Sequence, residues 1–284
     1  MNRFTLNLYL DILPDSIVST LSNQSKLVNN LVYYDQESIN NIGQLLNTKI
    51  VKNLNMYLRI MQLGGINKIE TIDIFNDPDV YNFLISISNN INNLIFLVLQ
   101  DNEIDNESAK IIANIIEKSK SIEYLYLVNN NIQNISYIAK ALEDNKTIRK
   151  FLLNSNQIGN DGAKDLAKTL KINNTIDTLS ISDNQIGDIG TKALADMLKI
   201  NKGLYELNLA TNNITNNGAI AIASSLSSNS TLNKLLLYDN NITYDGAKEY
   251  IPLINKIPFL HLDIIPNNNF NYIQRKTLES FGIN

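Results

Sequence analysis

One pattern in this chain returns at a nearly fixed interval, and it constrains the fold more than anything else. Leu94, Leu97, Leu99, Asn102 and Ile104 follow the spacing Leu-x-x-Leu-x-Leu-x-x-Asn-x-Ile. The spacing returns as Ile122, Leu125, Leu127, Asn130, Ile132 and again as Ile148, Phe151, Leu153, Asn156, Ile158. Further copies begin at Ile176, Leu204 and Leu232, with Asn184, Asn212 and Asn240 in the asparagine slot. Successive starts lie 28, 26, 28, 28 and 28 residues apart. A degraded copy precedes them (Ile69, Ile72, Ile74, with Asp77 in the slot), and another follows (Phe259, Leu262, Ile264, Asn267). About eight units thus cover residues 66–270. A period of this length means one supersecondary unit stacked many times, each burying its apolar face on its neighbours.

Each unit divides into strand, turn, helix and loop. Leu-x-Leu has the period of a strand with one buried face. The asparagine that follows points inward. Its amide both donates and accepts, so stacked asparagines can satisfy buried backbone groups in the turn. Gly162-Ala163-x-x-Leu166-Ala167-x-x-Leu170 has helical spacing,. The same helix recurs over Gly190–Leu198, Gly218–Leu226 and, less regularly, Gly246–Ile254. Its small alanines permit close packing between neighbours. Asn145, Asn173, Asn201 and Asn229 stand three residues after the last helical leucine. Asparagine tolerates the left-handed conformation that often ends a helix, and these four are expected in that role.

These residues resemble the leucine-rich-repeat family, in particular its ribonuclease-inhibitor-like subtype with units near 28 residues. The resemblance covers most of the chain. It implies an α/β fold: a right-handed solenoid in the form of an open horseshoe, with a parallel concave sheet and convex helices. At about 4.8 Å per strand, eight strands span roughly 35 Å. The inhibitor itself often alternates cysteine with asparagine in the turn, whereas this chain has no cysteine.

A solenoid must cover its first apolar face, so residues 1–65 are expected to be a helical N-terminal cap. Helices are expected at Asp15–Leu21, Ser38–Leu46 and Val51–Met61. Leu13-Pro14-Asp15-Ser16-Ile17-Val18 bears a faint similarity to the opening of an F-box adaptor. Residues 271–284, with Tyr272, Ile273, Leu278 and Phe281, are expected to form a C-terminal cap.

Composition removes several classes of chemistry. A net charge of −4 without a polybasic block speaks against nucleic acid,. No cysteine means no disulfide and no thiolate metal site,. The one histidine, His261, sits at a concave strand position and is expected to face solvent or a partner. Asp101, Asp183 and Asp239 recur at one turn position. Paired carboxylates can hydrolyse glycosides, but these lie at least two repeats apart on an open surface. GTPase-activating members of the family share the repeat; Arg3, Arg59, Arg149 and Arg275 match no such motif. No apolar run reaches the length of a membrane span. The N-terminal segment meets Asp11 early and makes a poor signal peptide,. The expected location is the cytoplasm, or a host cell reached by a route independent of a signal peptide.

Recognition remains. The x positions of the strand motif face the concavity, and their chemistry is uneven. Phe75, Phe96, Val98, Tyr124, Tyr126, Val128 and Leu152 form an apolar and aromatic patch across four strands, with Lys150 beside it. Large apolar groups on an exposed face mark interfaces. Tyr205, Leu236 and Tyr238 are expected to form a second, smaller contact, and the strands between are small and polar. The expectation is a non-enzymatic module, monomeric when unbound and without cofactor or metal. It is expected to bind a protein partner on its concave face and, where that partner is an enzyme, to inhibit it. An adaptor of the F-box or other ubiquitin-ligase kind, or a secreted host-interaction effector, is the alternative.

Overall fold

The backbone of each repeat unit meets its equivalent in the next, so one parallel sheet grows in strict chain order. The computed structural model describes residues 50–51, 71–75, 77, 80–88, 93–254, 256–257, 259–266 and 268–283. Its strands are β1 (Ile50–Val51), β2 (Thr71–Phe75), β3 (Phe96–Gln100), β4 (Tyr124–Tyr126), β5 (Lys150–Leu152), β6 (Thr178–Ser180), β7 (Glu206–Asn208), β8 (Lys234–Leu236) and β9 (His261–Asp263). Neighbours in sequence are neighbours in the sheet throughout. Between them run α1 (Val80–Ile87), α2 (Asn106–Lys118), α3 (Ser136–Asp144), α4 (Gly159–Leu170), α5 (Asp188–Leu198) and α6 (Asn216–Leu226). The fold is an α/β leucine-rich-repeat solenoid, an open horseshoe.

After β8 the helix breaks into α7 (Tyr244–Ala247), a 3-10 turn (Lys248–Tyr250) and α8 (Ile251–Ile254). Pro252 explains the break. It has no N–H to give, and its ring would strike the carbonyl four residues earlier in a continuous helix. Tyr250 is fully buried here, and its hydroxyl donates to the Ala219 carbonyl at 2.8 Å. Burial alone pushes this phenol far above its ordinary titration range,.

The sheet begins earlier than the repeat spacing suggests. Ile50 and Val51 pair with Thr71 and Ile72, so Val51 starts no helix. The rest of the expected N-terminal cap, including the segment Leu13–Val18, lies outside the described residues. At the other end, α9 (Tyr272–Ser280) is closed by an Asn271–Gln274 capping box,. Only Leu278 of the four expected capping residues is buried, and Ile283 joins it; Tyr272, Ile273 and Phe281 face outward.

Three side-chain ladders hold the units together. In the expected one, each slot asparagine is buried and reaches back to the preceding unit. Asn184 Nδ2 donates to the Leu153 and Ser182 carbonyls at 2.9 and 2.8 Å, and its Oδ1 accepts from Ile158 N–H at 3.4 Å. The last rung is Asn268 rather than Asn267. Its amide donates to the Leu237 and Ile264 carbonyls and accepts from Ile242 N–H. The turn after β9 is one residue longer than in the other units, so the rung keeps its place while the spacing shifts.

The second ladder corrects the sequence reading. Asn145, Asn173, Asn201 and Asn229 do not adopt positive φ. Each bridges a helix end to the next strand entry. Asn173 donates to the Leu142 and Asn145 carbonyls at 2.6 and 2.9 Å, and accepts from Thr175 and Ile176 N–H at 2.7 and 3.1 Å. Two-way hydrogen bonding, rather than tolerance of a left-handed backbone, places asparagine here. The left-handed position is the residue before the first ladder: Asp101, Asn129, Ser155, Asp183, Thr211 and Asp239 all have φ between 52° and 57°.

The third ladder lies at the helix starts. Asn160 Oδ1 accepts from Gly187 and Gly190 N–H at 3.0 and 2.9 Å, and Asp188 Oδ1 from Thr215 and Gly218 N–H at 2.8 and 3.0 Å. A side chain of one unit thus satisfies the orphan N–H groups that open the helix of the next.

Candidate protein-interaction face

Register places the concave side chains in rows. One row runs Phe96, Tyr124, Lys150, Thr178, Glu206, Lys234, His261. The next runs Asp73, Val98, Tyr126, Leu152, Ser180, Asn208, Leu236, Asp263. Strands about 4.8 Å apart let flat rings in one row lie on each other. Phe96 and Tyr124 do so, with centroids 4.2 Å apart and planes 11° from parallel. Tyr126 stands edge-on to Tyr124 at 6.5 Å and 88°. The Lys150 ammonium sits 5.8 Å from the Tyr124 ring centroid, within cation–π range,.

Six expected site residues therefore form one cluster over β3, β4 and β5: Phe96, Val98, Tyr124, Tyr126, Lys150 and Leu152. All six are half-buried rather than open, because they cover one another. This burial, with Tyr124 adding to it, raises the Tyr126 phenol above its ordinary value,. Val128, also half-buried, continues the cluster toward the turn. Phe75 pairs with Gln100 through its backbone; its side chain lies outside the described part. The second expected contact is looser. Tyr205 is exposed before β7, while Leu236 and Tyr238 are half-buried on and after β8. No ring contact joins Tyr205 to Tyr238 among the described residues.

Charge on this face is mostly paired. Arg149 holds Asp177 at 2.8 Å and Lys234 holds Glu206 at 2.8 Å. The hydrogen bond to Asp177 raises the Arg149 guanidinium above its ordinary value. Among the described residues Lys150 meets no carboxylate, so it is the available cation beside the aromatic stack. Between the two apolar regions the floor is polar. Ser180 Oγ donates to Asn154 Oδ1 at 2.6 Å, and Ser182 N–H donates to the same oxygen at 3.2 Å. Ser180 on β6 and Ala210 just after β7 are small and buried.

The recurring aspartates also find their explanation. Asp101, Asp183 and Asp239 occupy the left-handed turn position, which Asp and Asn tolerate best after glycine. Asp101 accepts a hydrogen bond from Asn129, its equivalent in the next unit. Among the described residues no group of three or more His, Asp or Glu stands where it could hold a metal ion. No helix among them is long and apolar enough to cross a membrane.

Parallel sheet, convex helices and asparagine ladders define a leucine-rich-repeat fold. A family model described as Leucine Rich repeat matches residues 144–167, 173–195 and 203–223. No curated protein matches the chain significantly. Among solved structures, leiomodin-1 actin-binding site 2 is 23% identical with a TM-score of 0.44, over 50% of this chain and 84% of that one. An internalin, inlF, of Listeria monocytogenes is 20% identical with a TM-score of 0.49, over 79% of this chain and 62% of that one. Internalin C2 of the same organism is 21% identical with a TM-score of 0.46, over 71% and 76%. At these identities and scores, the likeness carries nothing about what this chain binds.

Proposed function

We propose that this protein is a non-enzymatic recognition module of the ribonuclease-inhibitor-like subtype, and that it docks a protein partner on the concave face of β3, β4 and β5. One observation carries the reading: Phe96, Tyr124 and Tyr126 pack as a ring cluster on a solvent-facing side of the sheet, beneath Lys150, which meets no carboxylate among the described residues. Aromatic groups of this kind contribute little to the solenoid core, which lies on the opposite side of the same strands. A partner that covers them gains roughly 25 cal/mol per Å² of apolar surface removed from water. Tyrosine supplies a hydroxyl for the rim of such a contact. Lys150 favours an acidic group on the partner, and Arg149 adds less because Asp177 already neutralises it. Docking on an enzyme would occlude that enzyme, which is the inhibitory form of the proposal.

The test is differential capture from the native cell. Wild-type protein, Tyr124→Ala and the convex variant Lys192→Ala are used as baits, and the recovered proteins are compared by mass spectrometry. A protein recovered with wild type and Lys192→Ala but lost with Tyr124→Ala supports the reading. Recovery that is indifferent to Tyr124 and lost with Lys192→Ala overturns it.

A further inference from the structure

Among the described residues β9 has one unpaired edge, and its sequence is self-complementary. His261 N–H donates to the Asn233 carbonyl and the Asp263 carbonyl accepts from Leu237 N–H, both at 2.7 Å. These two residues turn their polar backbone toward β8. Alternation along a strand then turns the N–H and C=O of Leu262 outward. Among the described residues no strand pairs with this edge. The Leu262 side chain is buried in the core, so His261 and Asp263 both project on the concave side.

We propose that this edge joins two copies of the chain about a two-fold axis through Leu262, which makes the sheets continuous. With β9 antiparallel to its copy, the two Leu262 residues exchange both backbone hydrogen bonds. His261 of each copy then stands opposite Asp263 of the other. These are the non-hydrogen-bonded positions, about 4.5 Å between Cα atoms, where side chains approach most closely. Complementary groups there favour pairing, and like charges oppose it.

Two further observations fit the same occupant. Asp263 is half-buried, and its buried Oδ1 has no hydrogen-bond partner among the described residues, so turning the carboxylate toward an imidazole N–H breaks no hydrogen bond at that oxygen. Phe259, Tyr272 and Ile273 are 83%, 75% and 75% exposed. Phe259 precedes β9 at its entry end, and α9 starts at the exit end. The two-fold therefore brings Phe259 of one copy toward Tyr272 and Ile273 of the other. Covering these three on both copies removes on the order of 1,000 Å² from water, near the lower bound for a stable interface. Lys234, the register neighbour of His261, is already held by Glu206 and does not compete for Asp263.

The experiment measures the mass of the full chain across a concentration series by sedimentation equilibrium. Wild type is expected to dimerise. His261→Asp sets two carboxylates against two carboxylates, and Asp263→Lys sets cation against imidazole. Each should weaken self-association about tenfold or more. Mixed one to one, the two variants should form a heterodimer, since each supplies the charge the other lacks. The double variant His261→Asp/Asp263→Lys should dimerise alone. Should a single variant fail to fold, judged by circular dichroism, the double variant decides: a dimer supports the proposal and a monomer overturns it. A wild type that stays monomeric at every concentration overturns it, as do single variants that dimerise as well as wild type.

Discussion

The ring of Phe96 lies flat on the ring of Tyr124, 4.2 Å away, although the two residues are 28 positions apart in the chain. One repeat period separates them, so the stack is a direct product of the period. Such a pair contributes about 0.5–1.5 kcal/mol. Tyr124→Ala should lower stability by about that amount, and the protein should stay folded, because neither ring enters the core between sheet and helices. Chemical denaturation checks this. A loss of about 4 kcal/mol or more would mean that the ring is a structural element rather than an available surface.

The asparagine ladders differ in strength. Asn173 makes four hydrogen bonds between 2.6 and 3.1 Å. Asn184 makes three through its side chain, one of them at 3.4 Å. Both are fully buried. Each group left unpaired costs about 1–3 kcal/mol. Asn173→Leu should therefore destabilise more than Asn184→Leu, and both should lower the urea midpoint clearly. Negligible shifts would remove the ladders from the account of stability, and equal shifts would remove the difference in strength between them.

Thr211 holds φ at 53°, a conformation that costs a β-branched residue more than asparagine. Its side chain is exposed. Thr211→Asn should stabilise the protein by about 1 kcal/mol, read as a higher melting temperature. A lower one would show that the hydroxyl contributes something the geometry does not reveal.

Gly190 lies in the first turn of α5, where Asn160 crosses from the preceding unit. A Cβ there would lie 2.8 Å from Ala163 Cβ and 3.0 Å from Asn160 Oδ1. Gly190→Ala should cost about 1–3 kcal/mol through overpacking, against the usual helical gain of alanine over glycine. Thermal unfolding decides the sign.

How far the sequence revealed all this follows from what a period can show. Leu97, Leu125 and Phe151 share a slot, so sheet, register and inward asparagines were legible at once. Asn173 was legible as a recurring residue but not in its role, because a left-handed cap and a two-way bridge call for the same amino acid. The signal for the true left-handed position is the run Asp101, Asn129, Ser155, Asp183; the recurrence of Asp101, Asp183 and Asp239 alone raises the question of paired carboxylates and hides that shared backbone role. Asn268 was missed because spacing cannot register one extra turn residue. The concave cluster was legible by position. Its half-burial was not, since it depends on rings in neighbouring strands covering one another.

The central claim is that Tyr124 and its neighbours, and not the helices, meet the partner. The most direct measurement is the affinity of the captured partner for three purified forms, by titration calorimetry at fixed salt. Tyr124→Ala should weaken binding by about 2 kcal/mol or more, roughly 30-fold, while Lys192→Ala should change it by less than about twofold. Binding that is unchanged by Tyr124→Ala and abolished by Lys192→Ala would place the partner on the convex side and contradict the account.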